Sequence, residues 1–200
     1  FADKLNLPFF CEQKDVKAYA KKNRRSIEES GRMARYHFFK RIAKSHGYSK
    51  IATGHTKGDN AELVMMNLLR GSGPKGLSGI PPIRDKKYIR PLIQVSKTQI
   101  LDFLKNENQD FVFDSSNRDM KYLRNKVRNQ LIPHLQSEYN PEFIDALDRL
   151  SSILRQEEEF WEEKTEKAFH DWLVKTEPAC FFLSKSLMKA LHPALLNRVF

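Results

Sequence analysis

The chain has 200 residues, of which 40% are hydrophobic and 30% charged, with only eight glycines and nine prolines. This composition is typical of a soluble globular protein, and it excludes collagen-like, low-complexity and wholly disordered chains. No stretch approaches the roughly 20 apolar residues that a membrane-spanning helix needs. Cys11 and Cys180 lie far apart in the sequence and form no metal-binding spacing, so a reducing, cytoplasmic setting is the simplest interpretation.

The net charge favours a polyanionic partner. The 35 lysines and arginines against 25 aspartates and glutamates give a formal charge of +10. Basic side chains release counterions from phosphates, so this excess suits a nucleic acid or a nucleotide. Charge alone leaves the question open, because many basic proteins bind neither.

The predicted elements alternate between strands and helices along the first part of the chain. Strands or extended segments are predicted at 8–13, 50–55 and 88–93. Apolar residues spaced three and four apart predict helices at 15–23, 30–46, 61–69, 96–106 and 121–135. This alternation favours βαβ units and a mostly parallel sheet. We therefore predict an α/β domain over residues 1–138.

The rest of the chain has a different pattern. Asn140 and Pro141 mark a boundary, and the apolar spacing of a long helix follows. We predict the beginning of an all-helical second domain over residues 139–200. The chain starts at Phe1 in what reads as the end of a helix and stops at Phe200 inside a helical pattern. We therefore expect it to be a piece of a longer protein.

The residues GHTKGDNAE, 54–62, form the first candidate site. A strand ends and a helix begins there, which is where open α/β sheets bind ligands and where phosphate is favoured. Asp59 and Glu62 share a helix face beside His55, so they could hold Mg²⁺, orient an amine or transfer a proton. The same residues also fit a capping box of Thr56 with Asp59, or of Asp59 with Glu62. Spacing alone leaves both interpretations open.

The stretch RGSGPKGLSG, 70–79, is the second candidate site. Its four glycines, with Arg70, Lys75 and Arg84 in or near it, fit a cradle for phosphate or an RNA backbone. It lacks the GxxxxGK[ST] pattern of a Walker loop. A mobile surface loop is an equal alternative.

Two groups of basic residues are the third candidate. Arg32 and Arg35 lie three apart on one helix face, as a clamp on a polyphosphate would. A second basic surface, suited to a nucleic-acid backbone, would comprise Lys121, Arg124, Lys126 and Arg128. Charge runs are more often the solvated faces of amphipathic helices.

Taken together, the motifs carry a family resemblance. In chain order they are RMARY (32–36), IATGHTKGDNAE (51–62), LLRGSGPKGLSGIPP (68–82), IRPLI (89–93), DSSN (114–117) and YLRNKVRNQLIPHL (122–135). Each is weak alone, but six in this order resemble the tRNA(Ile)-lysidine synthetases, a bacterial branch of the N-type ATP pyrophosphatases of the PP-loop superfamily. The resemblance implies a Rossmann-like, partly parallel sheet with flanking helices and an incomplete N-terminal part. The beginning of a helical tRNA-binding domain would follow.

The resemblance implies a ligase. Enzymes of this family use ATP to adenylate the C2 oxygen of the wobble cytidine in a CAU anticodon. The side-chain amine of free L-lysine then displaces AMP and leaves lysidine. The implied cofactors are ATP and Mg²⁺, and the implied partner is tRNA(Ile) in the cytoplasm, with a homodimer as one option.

The resemblance also implies roles for individual residues. Asp59 and Glu62 match the carboxylates of the catalytic pocket, His55 matches the histidine of the motif, and Asp59 is the candidate Mg²⁺ ligand. Three arginines match positions associated with the ATP phosphates or the tRNA: Arg32, Arg35 and Arg124. The further candidates for tRNA binding are Arg70, Lys75, Lys121, Lys126 and Arg128.

The sequence departs from the family pattern at three points. The SGGxDS loop that grips ATP is absent and is expected upstream of Phe1, so this piece alone is expected to be inactive. Gly58 precedes Asp59 where the HxxDD motif has a second acid, which leaves open whether the metal site is weakened. Leu63 stands where a threonine is typical.

Two rival functions remain. One is a PP-loop enzyme of the 2-thiocytidine type, but such enzymes usually carry paired cysteines that Cys11 and Cys180 cannot supply. The other is a non-catalytic RNA-binding module, for which Gly58 and the missing loop would be expected. The sequence upstream of Phe1 would discriminate between them.

Overall fold

The computed structural model describes residues 1–112, 120–177, 180–189 and 192–199, so the DSSN motif at 114–117 lies outside the described residues. The chain forms two compact units. The first comprises Phe1–Gly54 and Pro82–Pro91, and the second comprises His55–Pro81 and Leu92–Phe200. The domain boundary expected at residue 138 stays a prediction.

The first unit contains a small mixed sheet and two helices. After a short 3₁₀ turn at Asp3–Leu5, its elements are α1 (Val16–Asn23), α2 (Ile27–Ser45), β1 (Ile51–Ala52), β2 (Ile83–Arg84) and β3 (Tyr88–Ile89). The strand order is β1-β3-β2. β1 and β3 run parallel, with Ile51 opposite Tyr88, whereas β2 and β3 are antiparallel. The expectation of a partly parallel sheet with helices is therefore confirmed, whereas a mostly parallel sheet is not, because one of the two described pairings in this sheet is antiparallel.

Local sequence signals place both helices of this unit. The Asp15 side chain accepts a hydrogen bond from the backbone of Ala18 and so caps α1, and Ser26 caps α2 in the same way. Gly47 follows α2 with φ of 69°, a conformation that glycine adopts without strain. The Tyr88 ring is packed with Ala43 and Ile51 in the core of the unit.

The strand expected at residues 8–13 is wrong. These residues form no regular secondary structure, and Phe9 is 76% exposed. The Phe10 ring instead lies 4.4 Å from the ring of His46, centroid to centroid. A strand needs a hydrogen-bonded neighbour, and none of the described strands pairs with this segment.

The second unit is mainly helical. Its elements are α3 (Lys57–Leu69), α4 (Pro74–Leu77), α5 (Lys97–Asn106), α6 (Leu123–Lys126), a π-helical turn (Val127–Leu131), α7 (Ile132–Glu138), α8 (Phe143–Trp172), β4 (Leu173–Glu177), β5 (Cys180–Leu183), α9 (Lys185–Lys189) and α10 (Pro193–Val199). Its core is formed by Ala61, Val64, Met65, Val127, Ile132 and Leu147. α6 and the π-helical turn thereby pack against α3, and α8 packs on the same core.

The expectation of an all-helical second domain over 139–200 is not confirmed. β4 and β5 form an antiparallel pair in which Leu173 lies opposite Leu183. The segments LVKTE and CFFL contain β-branched and aromatic residues, which favour strands. The long helix predicted after Pro141 is confirmed as α8.

The glycine-rich stretch contains one turn of helix, α4, and is fastened to the unit. Asn60 is completely buried, and its side-chain oxygen accepts a hydrogen bond from the backbone of Ile80 at 2.8 Å. Its amide group donates to Asp148 at 3.0 Å and to Ser151 at 2.9 Å. Gly79 has φ of 70°, and a Cβ there would lie 2.2 Å from the Asn60 oxygen. Only glycine leaves room for this buried hydrogen bond.

We expect Gly79→Ala to lower the free energy of unfolding by about 3 kcal/mol. The left-handed backbone costs an alanine about 1–2 kcal/mol, and displacing Asn60 sacrifices buried hydrogen bonds worth about 1–3 kcal/mol. Gly71→Ala is the matched control, because Gly71 has φ of 72° but nothing within 4 Å of its Cβ position. Urea denaturation of the full-length protein measures both. Equal losses in the two variants would contradict the role of Asn60.

Candidate functional site

The N-terminus of α3 carries the first candidate site. The Asp59 backbone donates to the Thr56 hydroxyl at 3.4 Å, and one Asp59 carboxylate oxygen accepts from the Thr56 backbone at 2.9 Å. The capping box of Thr56 with Asp59 is therefore confirmed. It uses the Oδ2 atom of Asp59 and leaves Oδ1 for other partners.

Two arginines occupy the remaining carboxylate oxygens. Asp59 Oδ1 accepts from Arg124 Nη2 at 2.8 Å and from Arg128 Nη2 at 3.0 Å. Glu62 Oε2 accepts from Arg124 Nε at 2.7 Å, and Glu62 Oε1 accepts from Arg128 Nε at 2.5 Å. Arg128 Nη2 also reaches Glu62 Oε2 at 3.0 Å. We call these four residues the carboxylate–arginine cluster.

The fold of the second unit brings the cluster together from distant parts of the chain. Asp59 and Glu62 lie three residues apart on α3, so their side chains share one face. Arg124 lies on α6 and Arg128 one turn later in the π-helical turn. Packing of Val127 against the apolar face of α3 holds both arginines opposite the carboxylates.

Burial makes these charged hydrogen bonds strong. The Glu62 side chain is only 5% exposed and that of Asp59 19%. Burial by itself lowers the pKa of Arg128, but the hydrogen bonds and negative charge of Glu62, and then those of Asp59, outweigh it. The pKa of Arg128 consequently lies above its ordinary value, and the guanidinium stays charged.

The carboxylates of the cluster do not fit Mg²⁺. That ion needs near-octahedral oxygen ligands at about 2.0–2.1 Å, but every carboxylate oxygen of Asp59 and Glu62 already accepts a hydrogen bond. Binding would require the ion to displace two guanidinium groups. Among the described residues, no group of three His, Cys, Asp or Glu side chains could hold a metal ion.

Comparison with known proteins identifies the family of this chain. The PP-loop domain family matches residues 1–135. The chain belongs to the PP-loop family. The PP-loop membership that the ordered motifs indicated is therefore confirmed.

Three curated relatives of this PP-loop chain share a name. A tRNA(Ile)-lysidine synthase of Clostridium tetani is 32% identical over 100% of this chain and 42% of its own length. A protein of the same name from Caldanaerobacter subterraneus subsp. tengcongensis is 38% identical over 98% of this chain and 41% of its own length. Another from Thermotoga maritima is 34% identical over 97% of this chain and 48% of its own length. The chain thus spans a little under half the length of these relatives.

Other predicted site residues of the PP-loop chain lie elsewhere. His55 is half-buried immediately before the N-cap Thr56. Arg32 and Arg35 are both exposed and lie on α2 in the first unit. The guanidinium of Arg32 lies 5.6 Å from the centre of the Tyr36 ring. The catalytic role of His55 and the phosphate-binding roles of Arg32 and Arg35 stay predictions.

The first unit also contains a cavity, lined by cations, carboxylates and aromatic rings, that the sequence did not reveal. Its volume is about 420 Å³, and its lining includes Arg32, Tyr36, Arg84 and Tyr88. The Arg84 guanidinium lies over two aromatic rings, 5.1 Å from the centre of Tyr36 and 4.7 Å from that of Tyr88. Burial, and then the positive charges of Arg84 and Arg32, lower the pKa of the nearby Arg90.

The residues predicted to bind tRNA differ in their exposure and in the ion pairs that they form within the chain. Arg128 belongs to the carboxylate–arginine cluster, and Lys75 forms an exposed ion pair with Glu162 at 2.9 Å. A hydrogen bond to Glu162, and then its charge, raise the pKa of Lys75. Arg70, Lys121 and Lys126 are exposed. Their tRNA-binding role stays a prediction.

Several polar contacts of α3 escaped the sequence interpretation. The Lys57 ammonium forms an ion pair with Asp145 at 2.7 Å, and Asn60 holds the glycine-rich stretch as described above. Each partner lies at least 20 residues away, so no local spacing marks it. Within the described part of the chain, no helix has both the length and the apolar character needed to cross a membrane.

The buried ion pair of Glu158 and Arg198 leads to a prediction about pH. Arg198 donates two hydrogen bonds to the Glu158 carboxylate, at 2.6 and 3.0 Å, and the Glu158 side chain is 7% exposed. The hydrogen bond from Arg198 lowers the pKa of Glu158, although burial opposes it. Stabilisation by this carboxylate is therefore fully present above the usual glutamate range and is lost as the pH falls through the lowered pKa.

We expect Glu158→Gln to reduce the free energy of unfolding near neutral pH by about 2 kcal/mol, the range of a hydrogen bond to a charged group. The difference from wild type should shrink on acidification, which urea denaturation at a series of pH values measures. Glu162→Gln is the control, because the Glu162 side chain is 61% exposed and its pair should contribute little. A Glu158→Gln defect that is independent of pH would contradict this account.

We also expect Asp59→Asn to leave the affinity of the full-length protein for Mg²⁺ unchanged in the absence of ATP. The reason is that the oxygens of Asp59 are already used by Thr56, Arg124 and Arg128. Titration calorimetry, or displacement of Mn²⁺ followed by electron spin resonance, measures the affinity. Loss of one metal site in Asp59→Asn, with Glu162→Gln unaffected, would show that the carboxylate holds the ion.

Proposed function

We propose that the protein containing this chain is a tRNA(Ile)-lysidine synthetase. The single observation that carries the proposal is the similarity over 97–100% of the chain to relatives named tRNA(Ile)-lysidine synthase. The match of the PP-loop family to residues 1–135 supports ATP as a substrate. The proposed partners are tRNA(Ile) with a CAU anticodon and free L-lysine.

The proposed reaction has two steps, adenylation of the cytidine and displacement of AMP by lysine. First, the C2 oxygen of the wobble cytidine attacks the α-phosphorus of ATP, and pyrophosphate leaves. Next, the neutral side-chain amine of lysine attacks C2 and the bond from C2 to the adenylate oxygen breaks. AMP departs, and the nitrogen loses a proton to give lysidine. Adenylation serves to convert a poor leaving oxygen into a good one.

The carboxylate–arginine cluster is suited to the second step. A carboxylate of the cluster can accept a hydrogen bond from the lysine amine in place of one from an arginine, and so place the nitrogen beside the reacting carbon. Asp59 and Glu62 cannot turn away from this position, because both arginines and the capping box hold them. Their proposed role is therefore to orient the amine, with Asp59 at the more exposed edge of the pair.

Arg124 is suited to bind a phosphate while it stays in the cluster. Its Nε and Nη2 atoms donate to Glu62 and Asp59, and its side chain is 37% exposed. Among the described residues, none accepts a hydrogen bond from its Nη1 atom. An incoming phosphate can accept from that group in the planar geometry that guanidinium favours. Mg²⁺ would accompany the triphosphate of ATP rather than bind to Asp59.

Two finer parts of the proposal concern the whole protein. Assembly into a homodimer stays a prediction, which sedimentation of the full-length protein tests. Cytoplasmic location also stays a prediction. A PP-loop enzyme that transfers sulfur to cytidine, or an RNA-binding module without catalysis, would be recognised in the assay below.

We expect Asp59→Asn to reduce lysidine formation in the full-length protein by at least about 100-fold, the usual scale for a positioned acid–base or orienting group. Asparagine can still accept the capping hydrogen bond, so α3 should be preserved. Release of AMP in the presence of ATP, L-lysine and a CAU-anticodon transcript measures the reaction. Glu162→Gln is the control, because it removes an exposed carboxylate outside the cluster.

The possible results separate the alternatives. Undiminished turnover in Asp59→Asn would remove Asp59 from the mechanism. A wild-type protein that binds the transcript but releases no AMP would be an RNA-binding module. Incorporation of sulfur in place of lysine would indicate the 2-thiocytidine reaction.

A further inference from the structure

Helix α1 presents a cluster of positive charge that has no part in the proposed catalytic site. Lys17, Lys21 and Lys22 lie within its eight residues, and Arg24 ends it. All four side chains are exposed. We call them the α1 basic face.

Packing against α2 orients this face towards solvent. Val16 and Ala20 are the buried or half-buried residues on the inner side of α1, and a Cβ on Gly31 of α2 would lie 3.6 Å from Val16. Residues 17 and 21 are one turn apart, so their lysines stand in a row about 6 Å apart along the helix axis. Ala18 lies between the basic positions, and its small side chain does not cover the lysines.

No acidic side chain neutralises the face within the described part of the chain. Asp15 is the only acidic residue between Gln13 and Ile27, and its carboxylate caps α1. Neighbouring cations of the same unit are paired, Arg25 with Glu29 and Arg41 with Glu12. Four unpaired like charges within eight residues repel one another, and a polyanion would relieve this repulsion.

The helix dipole does not account for the arrangement. Cations near a helix C-terminus are stabilised by the dipole, which suits Lys21 and Lys22. Lys17, however, lies in the first turn of α1, where the dipole disfavours positive charge. A surface that carries lysines along the whole helix is better explained by a partner than by local stability.

The chemistry of the face favours RNA over a lipid surface. A helix that lies in a membrane interface needs an exposed apolar side opposite its charges. The apolar residues Val16 and Ala20 of α1 are instead turned towards α2. What remains exposed is a row of flexible ammonium groups, which bind phosphates as point charges without reading bases.

We propose that the α1 basic face binds the phosphate backbone of the tRNA substrate and contributes to docking rather than to chemistry. This inference rests on the proposed function, because that function supplies the RNA. The α1 basic face contains none of the residues that the family resemblance implied for tRNA binding. The face should raise the affinity for tRNA independently of the anticodon sequence.

The test is the triple variant Lys17→Gln/Lys21→Gln/Lys22→Gln in the full-length protein. Glutamine has nearly the same helix propensity as lysine, so α1 should persist. We expect tRNA(Ile) to bind at least about tenfold more weakly at physiological salt. The slope of log K against log salt concentration should become shallower by about one unit for each lost phosphate contact. KM for tRNA should rise while kcat at saturating tRNA stays unchanged.

A matched control removes the same charge elsewhere. Lys44→Gln/Lys105→Gln/Lys167→Gln replaces three exposed helical lysines for which the described residues supply no ion pair. Circular dichroism and melting temperature establish that both proteins are folded.

The results distinguish the surface from the proposed function. Equal affinity losses and equal salt slopes in the two variants would overturn the α1 basic face as a docking surface. So would a loss of binding to anionic phospholipid vesicles in the test variant with tRNA affinity unchanged. Absence of lysidine formation by the wild-type protein would instead overturn the proposed function, whatever the binding curves of the variants show.

Discussion

The buried carboxylate of Glu62 constrains how the helices of the second unit pack. An ionised carboxylate removed from water is destabilised by several kcal/mol unless partners compensate it. The side chain is 5% exposed, and guanidinium groups from Arg124 and Arg128 reach both of its oxygens. α3 must therefore lie against α6 and the π-helical turn in one register. Packing of Val127 and Ile132 into the same core fixes that register from the apolar side.

Two interpretations of Asp59 that seemed to compete turn out to be compatible. One carboxylate oxygen completes the capping box with Thr56, and the other accepts hydrogen bonds from Arg124 and Arg128. A residue that caps a helix is held rigidly at the point where the helix dipole favours negative charge. The cap thus fixes the position of the carboxylate, and the arginines that hold it leave no oxygen free for Mg²⁺.

Net charge proves a weak guide to which cations are available to a partner. Arg128 is committed to carboxylates of its own unit, and Lys75 shares an exposed pair with Glu162. None of the sequence motifs includes the lysines of α1, yet their ammonium groups lack ion pairs among the described residues. The 35 lysines and arginines therefore include two populations, one that stabilises the fold and one that can release counterions to bind phosphate.

Local patterns were enough to predict α1, α2, α3 and α5, because capping and helical periodicity depend on residues within a few positions of one another. The ordered motifs were also enough to indicate the family. The strand predicted at 8–13 does not form, and the pair β4–β5 was not predicted. Both outcomes depend on which strands lie side by side, and a local pattern does not specify the neighbouring strand. The cluster joins residues 62 to 69 positions apart. Only folding decides which carboxylate meets which arginine, because Coulomb attraction and burial act on distance in space and not on distance along the chain.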